Sequence, residues 1–114
     1  MVTPPKTFGM TGSPTITFPA QGRPIVETLS VQVDVSPPGS KLEAFVNYKS
    51  GGKDVTLFVP LTYAYTNPGS NFDFYVAALS VSLYPDTGTS MAVSIYSPTG
   101  QGGTLFLTVS GQFA

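Results

Sequence analysis

From Thr15 onward apolar residues recur at every second position, in runs broken by clusters of Gly, Pro, Asn and Asp. That is the signature of short strands rather than of helices. Ile25, Leu29, Val31, Val33 and Val35 alternate with Thr28, Ser30, Gln32 and Asp34 and predict one long half-buried strand ending at Ser36-Pro37-Pro38-Gly39. Leu42, Ala44, Val46 and Tyr48 mark a second strand, and Val55, Leu57 and Val59 a third. The Ser50-Gly51-Gly52-Lys53 segment between them supplies the glycines of a tight hairpin turn.

Pro60 offers no N–H for a ladder, so the chain forms an edge or bends there before Thr62–Thr66. A turn at Asn67-Pro68-Gly69 leads into Phe72, Phe74 and Val76 at even positions and Leu79, Val81 and Leu83 at odd ones. This change of phase at Ala77-Ala78 predicts a β-bulge and a strand turning a sandwich corner. Met91, Val93 and Ile95 follow the Pro85–Gly88 turn, and Leu105, Leu107 and Val109 close the pattern.

Seven or eight short strands without helices predict an all-β, antiparallel two-sheet sandwich of jelly-roll type, with an immunoglobulin-like sandwich as the alternative. The 114 residues suit a single domain. Residues 1–14 hold three prolines and two glycines among scattered apolar positions. They are read as a flexible N-terminal arm whose Phe8 and Met10 could dock on a neighbour, leaving 15–114 as the sandwich.

Charge narrows the function classes. Only 10% of residues are charged, about 25% being usual, and five Lys+Arg against six Asp+Glu give a net charge of −1. No basic stripe offers itself to phosphates, so nucleic acid is not expected as a partner. No apolar run is long enough for a membrane span and no signal peptide is visible, which leaves localisation undetermined.

Cys, His and Trp are absent, which removes thiol and imidazole chemistry and His- or Cys-built metal sites. No cofactor and no catalytic residue is assigned. Calcium would need Asp54 and Asp73 to meet between loops. Asp86-Thr87-Gly88-Thr89 matches the D-T-G motif of aspartic proteases, whose two aspartates share a proton. Pro85-Asp86-Thr87-Gly88 is equally an ordinary turn sequence, and it stands late in the chain, so the turn is the preferred reading.

The aromatics carry the functional expectation. Phe45, Phe58, Tyr84, Tyr96 and Phe106 fall opposite the aliphatic stripe, where a monomer would place polar groups. They are the candidate homo-oligomer interface of a non-catalytic structural subunit, with Phe45, Phe58 and Phe106 as anchors. Plain burial under loops or a second sheet is the competing explanation. The alternative function is a carbohydrate-binding module in which Tyr63, Tyr65, Asn67 and Asn71 form a platform for a glycan.

Several segments resemble small uncharacterised bacterial β-sandwich proteins. These are Pro38–Leu42, Phe58-Val59-Pro60, Leu83–Thr89 and Val109-Ser110-Gly111. That family has no known activity and implies no site residues. The final strand is similar to the closing strand of tumour-necrosis-factor and complement-C1q jelly rolls, which implies an aromatic-packed trimer by analogy of fold alone.

Overall fold

A computed structural model describes residues 6–114; residues 1–5 of the expected arm lie outside the described residues. Among the described residues the chain forms nine strands and no helix. These are β1 (Lys6–Gly12), β2 (Thr15–Thr17), β3 (Pro24–Ser36), β4 (Glu43–Ser50), β5 (Lys53–Val59), β6 (Thr62–Asn67), β7 (Phe72–Leu83), β8 (Ser90–Tyr96) and β9 (Gln101–Phe113). They build a five-stranded sheet in the order β1-β9-β3-β7-β6 and a four-stranded sheet in the order β2-β8-β4-β5. Every strand pair is antiparallel.

The alternation read from Leu29 onward decides which face is inside; nearer the start of β3 the irregularity at Val26–Thr28 changes the phase, so Val26 is buried and Ile25, expected in the inward stripe, is not. Val26, Leu29, Val31, Val33 and Val35 are buried, and each is paired across β9 or β7 with a residue of the same inward face, such as Val31 with Leu107 and Ala77. Ala44, Val46 and Tyr48 of β4, Val59 of β5 and Met91 and Val93 of β8 supply the opposing layer, and Ile16 and Phe18 close it beside β1. The β4–β5 hairpin turns through Gly51 and Gly52 at φ of 60° and 74°, a conformation that an L side chain disfavours.

Several further expectations change. Lys6–Gly12, placed in the arm, form a strand on the molecule's own sheet. Phe8 there meets Phe113 at 4.7 Å and Phe18 edge-on at 6.3 Å. The alternation of Phe8 and Met10 with Thr7, Gly9 and Thr11 is a genuine period of two, too short and glycine-rich to stand out.

β7 has no bulge at Ala77-Ala78 and turns no corner, since its register against β3 is continuous from Asp73 to Ser80. The extra residue lies instead on β7 opposite the irregularity at Val26–Thr28 of β3. Asp73, Tyr75, Ala77 and Leu79 therefore face inward, and Phe74 and Val76, expected in the core stripe, face outward. Pro60 does mark a break, for β5 ends at Val59 and the chain passes to the other sheet before Thr62.

The two sheets approach each other most closely along β8–β9 and β1–β2. The opposite flank is formed by β5, β6 and β7. Val55, Leu57, Leu61, Leu79, Val81 and Leu83 are only partly buried there.

Candidate functional site

The expected aromatic interface divides over three surfaces. On the outward side of the four-stranded sheet, Phe45 pairs with Phe58 on β5 and with Ser94 on β8, and Glu43 pairs with Tyr96. Cross-strand partners share a face. Phe45, Phe58 and Tyr96 thus stand together on one face, with the Phe45 and Phe58 rings edge to face at 5.7 Å. Phe58 is 56% and Tyr96 60% exposed. Asn47 fastens this face by hydrogen bonds with Ser94 (3.3 Å) and Thr56 (2.8 Å), and a Lys49–Asp54 ion pair of 3.4 Å lies at its hairpin end.

Phe106 lies on the other sheet. It pairs with Gln32, which pairs in turn with Val76, so all three stand on the outward face of the five-stranded sheet. Asp34 and Phe74 form the next row, and Tyr65 stacks on Phe74 at 4.7 Å with 5° between the rings. Tyr65, Phe74 and Val76 gather into a second cluster, with Phe106 on the same face beyond Gln32, and the phase expected at Ala77 hides this grouping in the sequence. Counting back by twos from Leu83, Val81 and Leu79 would have found it. Tyr84 joins neither cluster. It follows β7 at the far end of the sandwich, where its carbonyl accepts the Ser50 hydroxyl at 2.7 Å.

The sugar platform is not assembled as expected. A register shift at Ala64 puts Tyr63 opposite Tyr75 and Tyr65 opposite Phe74, and because Tyr75 and Phe74 are consecutive the two tyrosines lie on opposite faces. Asn67 and Asn71 shape the turn: Asn67 Oδ1 accepts the N–H groups of Gly69 (2.9 Å) and Ser70 (3.4 Å), and Asn71 sits at φ 62°.

The carboxylates hold backbone in place. Asp86 accepts the N–H groups of Gly51 and Gly52 at 2.7 Å each, while its own carbonyl accepts Thr89 N–H and Oγ1. The two glycine amides, with Lys49 and Arg23 nearby, hold its carboxyl below the usual range despite some burial. The D-T-G segment is thus a turn that locks the neighbouring hairpin.

Buried Asp73 accepts the Thr66 hydroxyl at 2.5 Å and Gly39 N–H at 2.7 Å, and these bonds also lower its pKa. Burial, Asp73 and Tyr63 together push the Tyr75 phenol up. Asp34 accepts Thr104 N–H, and Gln112 donates to Glu27.

Asp54 and Asp73 do not meet around an ion. Asp54 is at the β4–β5 hairpin, and Asp73 pairs with Val35 near the opposite end of the sandwich. No group of three or more Asp and Glu converges as a metal site among the described residues. Among the described residues there is no helix long and apolar enough to cross a membrane.

The chain matches no protein-family model, no curated protein and no solved structure. The likenesses to bacterial sandwich proteins and to tumour-necrosis-factor and C1q jelly rolls gain no support from these comparisons.

Proposed function

We propose that the protein is a non-catalytic, self-assembling β-sandwich subunit whose copies meet through the outward aromatic clusters. The observation that carries this reading is the Phe45–Phe58–Tyr96 cluster, exposed on a regular sheet face with few charges to keep copies apart. The second cluster faces the other way. Contact of one cluster with the other is then heterologous and generates rings or open arrays, while like-with-like contact closes a dimer.

The engagement of Asp34, Asp73 and Asp86 in backbone hydrogen bonds supports a structural rather than a catalytic use of these carboxylates. The orders β1-β9-β3-β7 and β2-β8-β4-β5 support the jelly-roll reading over the immunoglobulin one. The glycan alternative retains only Tyr65, on its stack with Phe74, as an outward platform.

The test is a pair of variants, Phe58→Ser and Phe106→Ser, compared with the parent chain by light scattering. A folded species of lower mass is expected. Unfolding instead would show the rings to be core residues, and an unchanged mass would place the contact elsewhere.

A further inference from the structure

β6 covers β7 only from Phe72 to Val76. From Ala78 to Leu83 no strand among the described residues pairs with the outer edge of β7, and its backbone groups on that side stand open. Exposed edges in natural sheets are commonly blunted by charge, proline or a bulge. Ala78-Leu79-Ser80-Val81-Ser82-Leu83 contains no charge and no proline, and although the irregularity opposite Val26–Thr28 falls within it, exposed and half-buried side chains alternate without a break from Ala78 to Leu83. Its inward side chains Leu79, Val81 and Leu83 are half-buried on this flank, and its outward ones are small.

We infer that this edge pairs antiparallel with the same edge of a second copy across a two-fold axis centred on Val81. The inference rests on the self-association reading and adds a contact separate from the aromatic clusters. Residues directly opposite in an antiparallel pair share a face, so a two-fold pairing must set inward residues against inward ones. Centring on Val81 sets Val81 against itself, Leu79 against Leu83 and Ser80 against Ser82.

The same register brings Tyr84 of one copy opposite Ala78 of the other. Tyr84 is 61% exposed, and beside Ala78 lies a hollow lined by Gln32, Pro60, Thr62 and Val76. A large exposed ring thus meets an open hollow on one self-complementary surface. The five-stranded sheet becomes ten-stranded, and the half-buried leucines of the two flanks cover each other.

The chain has no cysteine, so a single introduced thiol reports this geometry. Opposed residues in antiparallel strands have Cα atoms about 4.5–5.5 Å apart, within disulfide reach. Under copper-phenanthroline oxidation Val81→Cys should form a covalent dimer of twice the monomer mass, whereas Leu79→Cys, whose opposite is Leu83, should not. Ala78→Lys, on an exposed position, should remove the dimer and leave the fold intact.

Failure of Val81→Cys to cross-link in a chain whose native mass shows self-association would overturn the edge pairing and leave the aromatic reading standing. A monomeric parent chain would overturn both.

Discussion

Phe106 and Leu107 are consecutive residues of β9 with opposite surroundings: Leu107 is fully buried against Val31, and Phe106 stands outward beside Gln32 at 41% exposure. One side chain belongs to the fold and the other to the surface. Leu107→Ala should cost about 2–5 kcal/mol of stability by opening a cavity. Phe106→Ser should change the stability of the folded chain by no more than about 0.5 kcal/mol. Urea titrations of the two variants check the contrast, and comparable losses would mean that Phe106 is packed.

The Asp86 carboxylate holds Gly51 and Gly52, which are distant in sequence. Asp86→Asn keeps one acceptor and loses the charge, so it should lower the melting temperature at neutral pH. Its folded pKa is depressed, so the stabilisation is fully present above the unfolded value and is lost as pH falls through the folded one. The gap between parent and variant should therefore close in acid. A gap constant with pH would contradict this role.

Asp73 obeys the same sign, its pKa lowered first by Thr66 and then by Gly39. Thr66→Val removes the larger cause and should raise the Asp73 pKa, which carboxyl NMR titration reads directly. Tyr63, whose hydroxyl lies 2.5 Å from Thr66 Oγ1, would lose its partner as well. An unmoved Asp73 titration would show that Gly39 alone governs it.

Gly111 is buried in β9, and a Cβ added there would run into the Ile25 carbonyl of the neighbouring strand. Gly111→Ala should therefore destabilise the sandwich, while Gly9→Ala, where a Cβ meets open space, should be tolerated. Thermal melts of both variants separate the two cases. Equal melting temperatures would contradict the close approach of β3 and β9.

β4, β5 and β3 from Leu29 onward were legible in the sequence because one face of each is buried or half-buried and the other more exposed, which writes a period of two into the chain. β7 was misread because its inward set opens with Asp73 and Tyr75, while Phe74 and Val76 face out. The inward carboxylate is tolerated because Thr66 and Gly39 satisfy it, and no local pattern announces partners 7 and 34 residues away.

The aromatic surplus was legible, but its division between two sheets was not. Strand order decides which faces are neighbours, and alternation alone cannot give strand order. The split of Tyr63 from Tyr65 turns on one irregular residue, Ala64, that carries no turn signal.

The central claim is tested most directly by the native mass in solution, measured by size exclusion with light scattering. The account predicts a stable species at two or more times 12.0 kDa that Phe58→Ser makes smaller without unfolding. A parent chain that remains at 12.0 kDa at every concentration would contradict it.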